Sequence, residues 1–286
     1  MINIKKETIK PIFIINSKAG RFCIYLLMAA GILMVFAPLL IVLNVSLKTN
    51  EEYMMTGVMS FPEHITDISN YVRAFDEGNF ITGFMNTAIL VVISVPVTIL
   101  IASLVAYTLS RFNFRLRTLV YLAFLIPTFI PGMTVTIATF QVIKALGIYN
   151  TLMAGILLYI GTDIMQIYIF LQFINNVPVS LDESAMLDGA GRFKIYTDII
   201  LPQLKPAIAT TIILKLLGIY NDFFTPYMYM PKVRTVATSL YAFSGDKLAE
   251  WPLMSAAIVL VAIPTIIIYI FLQRHIISGV TDGAVK

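Results

Sequence analysis

The chain has 286 residues, of which 58% are hydrophobic and 13% charged, and its formal net charge is +4. Soluble domains carry about 25% charged residues, so this composition indicates a protein whose main solvent is lipid. It excludes a soluble basic domain that binds nucleic acid, and the single cysteine, Cys23, excludes a disulfide within the chain. His64 and His275 are isolated and no phosphate loop occurs, so we expect no catalytic or metal site.

Six stretches are long and apolar enough for transmembrane helices, since about 20 apolar residues cross the hydrocarbon core. They are Phe22 to Leu47, Phe80 to Leu109, Thr118 to Ile143, Leu152 to Ile174, Pro206 to Met230 and Leu253 to Leu272. The first is too long for a secretory signal and lacks a cleavage site, so we expect a retained anchor. We predict an all-α integral membrane protein with six spans, in which 1–21 form a cytosolic segment and 22–286 one transmembrane domain.

Proline lies inside most of these stretches, and each proline removes a backbone donor and bends or breaks a helix. Two interpretations remain open. The prolines produce irregular packing, or those at Pro127, Pro131 and Pro226 shape a cavity or a moving part.

Lysine and arginine cluster at alternate span ends, which indicates the cytosolic side. The basic residues on that side are Lys5, Lys6, Lys10, Lys18, Arg21, Arg111, Arg115, Arg117, Arg192, Lys194, Lys205, Arg274 and Lys286. The loop after the fifth span, with Lys232, Arg234 and Lys247, is a mild exception. The pattern predicts that both the amino and the carboxyl ends are cytosolic.

The loop at 175–205, between the fourth and fifth spans, is predicted to be a cytosolic helical hairpin. Pro178 ends the preceding helix, and Ser180 with Glu183 fits a capping box. One apolar face is predicted at helical spacing, formed by Met186, Ala190, Phe193 and Ile200. This face could lie on lipid, pack under its own bundle, or fit a cleft in a soluble partner. In the last case Gly189 would let the partner approach the backbone closely.

The spacing within this loop resembles the "EAA" loop of permease subunits in bacterial binding-protein-dependent ABC importers. The matching elements are Glu183-Ser184-Ala185, then Gly189 after three residues, then Ile199-Ile200-Leu201-Pro202 after nine more. Other segments resemble the maltose-type carbohydrate permeases in particular. They are Phe61-Pro62, Asn70 to Phe75, Ala106 to Phe114, Leu146 to Thr151, Asn221 to Pro226 and Gly279 to Lys286. Ser184 replaces the usual first alanine, and Tyr220 replaces the usual tryptophan before Asn221-Asp222.

The resemblance implies a type I ABC importer permease fold in a bacterial cell membrane, and a function in ATP-driven uptake of a sugar or oligosaccharide. The expected partners are a different sister permease, two cytosolic ATPases and an extracytoplasmic solute-binding protein. ATP and magnesium are expected on the ATPases, with no cofactor bound by this chain. A helix from about Glu183 to Ala190 would dock on one ATPase. The residues expected to couple the subunits are Glu183, Ser184, Ala185, Asp188, Gly189, Ala190, Leu201 and Pro202.

Chemistry suggests a role for each part of this loop. We expect Glu183 to cap its own helix and to pair with a basic group of the ATPase, and Asp188 to be a cap or a salt-bridge partner. Leu201 and Pro202 would fix the return of the chain into the membrane.

Two ionisable residues lie deep within the predicted spans, where a charge costs at least about 2.5–3.5 kcal/mol. Asp163 and Lys215 lie at similar depths, so we expect an ion pair or a shared water-filled cavity. Alternatively, each faces the lumen or a sister subunit separately. Tyr220, Asn221 and Asp222 are predicted to line the substrate path, by stacking on sugar rings and bonding hydroxyls. Helix packing and interfacial anchoring are the alternative.

Other functions are less consistent with the chain. An ABC permease for amino acids or peptides would lack the carbohydrate-type motifs. A secondary transporter usually has more spans and an inverted repeat. A membrane enzyme would need converging carboxylates or histidines.

Overall fold

The computed structural model describes residues 18–161, 163–244 and 250–284, and within these ranges the chain forms helices and turns but no strand. Among the described residues, three helices are long and apolar enough to cross a membrane, and up to six spans result if each bent helix pair is one span. The protein is thus all-helical with three to six candidate spans. Most of the predicted amino-terminal segment 1–21 lies outside the described residues, as do Lys247 and Lys286.

Three long helices contain the predicted first, second and sixth spans. They are α1 (Lys18–Ser46), α4 (Phe80–Arg111) and α15 (Trp251–Ala284). Two short helices, α2 (Asn50–Thr56) and α3 (Ser69–Glu77), lie between α1 and α4. At about 1.5 Å per residue, each long helix exceeds the hydrocarbon thickness of about 30 Å.

The predicted third span is two helices rather than one. Helix α5 (Arg117–Leu125) continues as a 3₁₀ turn (Ile126–Phe129), and the chain then bends by 109° into α6 (Gly132–Ala145). Pro131 occupies the N-cap of α6. Because proline cannot donate a backbone hydrogen bond, the sharp break falls at this residue.

The predicted fourth span also has a break, although it contains no proline. Helix α7 (Leu152–Ile160) and helix α8 (Ile164–Asn175) meet at an angle of 43°. Asp163 is the N-cap of α8, and its Oδ1 accepts a hydrogen bond from the amide of Gln166 at 3.0 Å. A carboxylate at this position satisfies an amide of the first turn, which allows a helix to begin in mid-span.

Four short helical pieces follow α8. We refer to residues 179–203 as the connecting segment. It comprises α9 (Val179–Leu187), α10 (Arg192–Ile195), a π-helical turn (Tyr196–Ile200) and α11 (Leu201–Gln203). The segment then bends by 75° into the next helix.

Two local predictions for the connecting segment are wrong. Pro178 is the N-cap of α9 and no side chain caps this helix, so Ser180 and Glu183 do not form a capping box. The helix ends at Leu187 instead of running from Glu183 to Ala190. Proline suits the entry to a helix, and it moves the start two residues upstream of the predicted capping serine.

The last part of the chain contains three helices before α15. They are α12 (Lys205–Asn221), α13 (Phe224–Tyr229) and α14 (Val236–Tyr241). The predicted fifth span to Met230 is therefore interrupted after Asn221. Asp222 Oδ1 accepts a hydrogen bond from the amide of Thr225 at 3.0 Å, which supports the start of α13.

Helix α4 is the centre of the bundle and packs against α7, α8 and α12. Its buried face contains many small residues, which allow neighbouring helices to approach closely. They include Ser94, Thr98, Ala102, Ser103 and Ala106. Helix α1 packs along α15 and leaves most of its other apolar side chains exposed, as suits a surface in lipid.

A second, smaller core joins α3 to the start of α15, around Ala74, Phe80 and Phe243. Outside it, Arg73 Nη2 lies 2.9 Å from Glu250 Oε2. This hydrogen bond to Glu250 raises the pKa of the Arg73 guanidinium. The short helices between α1 and α4 are thereby attached to the amino-terminal end of α15.

Candidate functional site

The connecting segment is attached to one face of α4. Ser103, Tyr107, Ser110 and Arg111 follow the helical spacing of a single face. The hydroxyls of Ser103 and Tyr196 are 2.7 Å apart, and the Tyr107 hydroxyl donates to the carbonyl of Arg192 at 3.3 Å. Hydrogen bonds therefore join the connecting segment to the carboxyl-terminal half of α4.

Arg111, the last residue of α4, makes a charged attachment at the end of this face. Its Nε lies 2.7 Å from Asp182 Oδ2, and its Nη2 donates to the carbonyl of Val177 at 2.7 Å. Both charged side chains are about nine-tenths buried. Asp182 was not among the residues predicted to be functional. The signal in the sequence was a basic residue at the end of one span and an acidic residue shortly after Pro178.

The opposite side of the connecting segment exposes apolar side chains. The exposed fractions are 89% for Leu187, 72% for Phe193 and 49% for Met186. The predicted continuous apolar face is wrong, because Ile200 is fully buried and Ala190 packs against the core while Met186 and Phe193 point outward. The turn between α9 and α10 separates these residues onto two helices. An exposed apolar surface of this kind is typical of an interaction site.

The predicted coupling residues divide into two groups. Glu183, Ser184, Asp188, Gly189 and Pro202 are exposed, whereas Ala185, Ala190 and Leu201 are half-buried against the core. Gly189 has φ +80°, a left-handed conformation, and the Ala190 amide donates to the carbonyl of Ala185 at 2.9 Å. The turn is therefore held by the backbone rather than by side-chain caps.

The two predicted intramembrane charges line one cavity between α7, α8 and α12. The cavity has a volume of 250 Å³ and is lined by Tyr159, Asp163, Met165, Gln166, Leu214, Lys215, Gly218, Ile219 and Asp222. Lys215 Nζ donates to the carbonyl of Gly161 at 3.1 Å. Among the described residues, Asp163 and Lys215 do not approach within 4.0 Å, so the geometry corresponds to the shared cavity rather than to a direct pair.

The three predicted path residues do not face one space. Asp222 lines the charged cavity, and its Oδ2 accepts a hydrogen bond from the Tyr159 hydroxyl at 3.0 Å. Tyr220 and Asn221 line a separate cavity of 300 Å³ beside α14 and α15. The Tyr220 hydroxyl donates to the carbonyl of Val261 at 2.8 Å, and the Asn221 side chain donates to the carbonyl of Leu217 at 2.9 Å.

Neither cavity has the ligand set of a metal centre. Throughout the described ranges, no group of three or more histidine, cysteine, aspartate or glutamate residues could hold a metal ion.

Comparison with known proteins identifies the family of this chain. Residues 94–282 match the family described as binding-protein-dependent transport system inner membrane component. The chain belongs to this family. Its helices therefore form an ABC importer permease fold in a membrane, and the proteins that it resembles are transport subunits.

Curated relatives match nearly the full length of this permease chain. It is 30% identical to a probable starch degradation products transport system permease protein of Thermoanaerobacterium thermosulfurigenes, over 92% of this chain and 97% of that protein. It is 31% identical to a multiple sugar-binding transport system permease protein of Streptococcus mutans, over 95% and 99% of the two chains.

A solved structure has the same fold. The crystal structure of a bacterial ABC transporter involved in the import of the acidic polysaccharide alginate matches with a TM-score of 0.78, at 21% identity. The match covers 93% of this permease chain and 99% of that one.

Proposed function

We propose that the chain is one permease subunit of an ATP-driven, binding-protein-dependent importer for a sugar or oligosaccharide. The observation that carries this proposal is the full-length similarity to permeases named for starch degradation products and for multiple sugars. A trehalose/maltose permease of Thermococcus litoralis, 32% identical over 78% of this chain, supports the same substrate class.

The connecting segment, within the loop 175–205, is the contact with a cytosolic ATPase. Its exposed face offers Leu187, Phe193 and Met186 to a cleft on that subunit. The exposed Glu183 and Asp188 flank this face and pair with basic groups. Gly189 keeps the turn free of a side chain, so the ATPase approaches the backbone closely.

The buried side of the segment carries the motion into the membrane. Half-buried Ala185, Ala190 and Leu201 pack against the bundle, and the buried pair of Arg111 and Asp182 fixes α9 to α4. Protein interiors are close-packed and deform little, so a displacement at the docking face moves α4 as a body. Pro202, in the short helix before the bend, directs the chain back into α12.

Six spans, with both chain ends in the cytosol, form one transmembrane domain at 22–286. Each of the three bent helix pairs then counts as one span. The basic residues at alternate span ends support this orientation. It places the connecting segment on the same side as the ATPases.

The complete importer consists of this chain, a sister permease, two ATPases and an external solute-binding protein. One related fold was solved as a bacterial alginate ABC transporter in complex with an alginate pentasaccharide-bound periplasmic protein, which supports an external partner. ATP and magnesium bind the ATPases. Nucleotide binding closes the ATPases, the docked segment moves, and the path opens outward to receive the sugar.

Co-purification followed by ATP hydrolysis tests the proposal. The affinity-tagged chain, expressed with its neighbouring genes, is expected to bring down an ATPase and a second permease. Saccharide-loaded binding protein is expected to stimulate ATP hydrolysis in proteoliposomes. A particle without an ATPase, or uptake that continues without ATP, would reject the proposal.

A further inference from the structure

The charged cavity between α7, α8 and α12 lies near the middle of the bilayer. Lys215 is ten residues into α12, and Asp163 is twelve residues before the end of α8. At about 1.5 Å per residue these positions lie about 15 Å and 18 Å from one membrane face. The midplane of a hydrocarbon core about 30 Å thick lies at a comparable depth.

This cavity is open at the surface of the chain. Asp163, Met165, Leu214 and Gly218 line it and are exposed. Charged groups at mid-membrane depth face a water-filled space or another subunit, because lipid solvates them poorly. In the proposed importer, the side of the cavity that is open on this chain is expected to face the path that the two permeases enclose.

The break between two helices places polar backbone and side-chain atoms beside the charged cavity. The break between α7 and α8 frees the carbonyl of Gly161, which accepts the hydrogen bond from Lys215 Nζ at 3.1 Å. An ammonium has three N–H donors, and among the described residues the Gly161 carbonyl is the one acceptor found for Lys215 Nζ, so further donors are available to a ligand. In transporters, interrupted helices near the midplane commonly form the substrate site.

The charge of the cavity distinguishes between classes of sugar. Two carboxylates, Asp163 and Asp222, face one ammonium, Lys215, so the formal charge is −1. Carboxylate oxygens accept hydrogen bonds from hydroxyl groups, whereas they repel the carboxylate or sulfonate of an acidic sugar. The apolar lining residues Met165, Leu214 and Ile219 suit the C–H faces of a pyranose ring.

We propose that this cavity is the subunit's contact surface for a neutral saccharide, and that its net negative charge disfavours acidic sugars. The volume of 250 Å³ is smaller than the roughly 300–1,000 Å³ of complete ligand pockets. This size fits one sugar unit held against one wall of a path, with the sister subunit forming the other wall. The inference rests on the proposed function and adds the substrate class to it.

Gly218 provides a direct test of access and charge. A β-carbon built on Gly218 has no atom within 4 Å, so Gly218→Cys is tolerated in a Cys23→Ser background. In the complete importer in membranes, an impermeant cationic methanethiosulfonate is expected to label this cysteine faster than an anionic one. The expected difference, after correction for each reagent's rate with free cysteine, is about tenfold or more. Asp222→Asn is expected to reduce that difference.

Gly31→Cys in α1 is the matched control, because Gly31 is also exposed and also has an empty environment. It faces lipid and is expected to react with neither reagent. Absence of labelling at Gly218→Cys, or faster labelling by the anionic reagent, would overturn the inference.

Protection by saccharides tests the substrate class. Labelling is repeated in the importer with its binding protein, in the presence of maltotetraose, raffinose or an alginate tetrasaccharide. The neutral saccharide that stimulates ATP hydrolysis is expected to slow labelling, and Asp163→Asn or Asp222→Asn is expected to raise the protecting concentration about tenfold. Asp76→Asn and Lys144→Gln, both exposed and remote, are the controls.

Two outcomes would contradict the neutral class. One is protection by the alginate fragment, and the other is no protection by a neutral saccharide that does stimulate ATP hydrolysis. Stimulated hydrolysis with an unlabelled Gly218→Cys would reject only the cavity assignment. Failure of any ATPase to co-purify would reject the proposed function itself.

Discussion

Arg111 and Asp182 form a buried ion pair, with 2.7 Å between Nε and Oδ2, that joins the end of α4 to α9. A buried pair contributes little net stability on average, and here we expect it to favour one arrangement of α4 and α9. The Val177 carbonyl accepts a hydrogen bond from Nη2 of the same guanidinium. We therefore expect the connecting segment and α4 to move as one unit.

Removing one partner of this pair is expected to lower both the stability of the protein and its coupling of ATP hydrolysis to transport. Asp182→Ala leaves a buried guanidinium without its counter-charge, which costs about 3–5 kcal/mol. We expect a lower thermal unfolding temperature and, in the assembled importer, ATP hydrolysis with a reduced yield of transported sugar. Thermal unfolding and the ratio of uptake to hydrolysis measure the two effects.

The two partly exposed ion pairs of Arg73 are the matched control. Arg73→Ala removes the contacts with Glu77 and Glu250, all of which are partly exposed. Exposed pairs are worth about 0–1 kcal/mol, so stability and coupling are expected to change little. Equal effects of Asp182→Ala and Arg73→Ala would contradict the role assigned to the buried pair.

Two glycines in the connecting segment are expected to respond differently to the same substitution. Gly189 has φ +80° and Gly191 has φ −72°, and a β-carbon on either meets no atom within 4 Å. Gly189→Ala is expected to destabilise by about 1–2 kcal/mol, because an L-residue is strained in the left-handed region. The measurement is the unfolding temperature of the purified complex.

Gly191→Ala serves as the control for Gly189→Ala. Its backbone conformation is open to any residue, so alanine gains about 0.4–1 kcal/mol through the unfolded state. Gly191 is also the N-cap of α10, where alanine is less favourable than glycine, so the two effects offset each other and stability is expected to change little. If both variants lose stability equally, the turn does not depend on the left-handed conformation of Gly189.

The membrane class and the unbroken helices could be predicted from the sequence because they depend on the length of apolar runs. α1, α4 and α15 contain the predicted spans. The residues at which helices begin or are interrupted could not be predicted in the same way. The prediction of a capping box was wrong because Pro178, and not Ser180, precedes the first turn of α9.

The site was predictable only in part, since the spacing of residues along the chain does not show which cavity each side chain lines. Asp163 and Lys215 were recognised as deep charges, and they line one cavity. Tyr220 and Asp222, two residues apart on the chain, face different cavities because α12 ends between them. Asp182 was missed because its partner lies far away in sequence.

The exposed apolar side chains of the connecting segment are expected to decide ATPase binding. Leu187 is 89% exposed, so Leu187→Asp leaves the fold of this chain intact. It is expected to abolish co-purification of the ATPase, because a carboxylate would be buried in an apolar cleft. Leu146→Asp, at an exposed residue after α6, is the control. Retention of the ATPase by Leu187→Asp would rule out this face as the docking surface.

The buried ammonium of Lys48 is expected to hold the segment between α1 and α3 in place. Lys48 is fully buried, and its Nζ donates to the carbonyl of Gly57 at 2.7 Å and to the Ser60 hydroxyl at 2.6 Å. Lys48→Ala removes these bonds and leaves a cavity, and large-to-small changes in a core cost about 2–5 kcal/mol.

The loss of stability in Lys48→Ala is expected to be local, because Lys48 joins neighbouring parts of the chain to one another and not to the central bundle around α4. Trypsin is therefore expected to cut at Arg73 faster in Lys48→Ala, since cleavage requires local opening. Lys144→Ala removes an exposed lysine at the end of α6 and is expected to leave the cleavage rate unchanged. Equal cleavage rates in the two variants would mean that the segment is held by its apolar contacts instead.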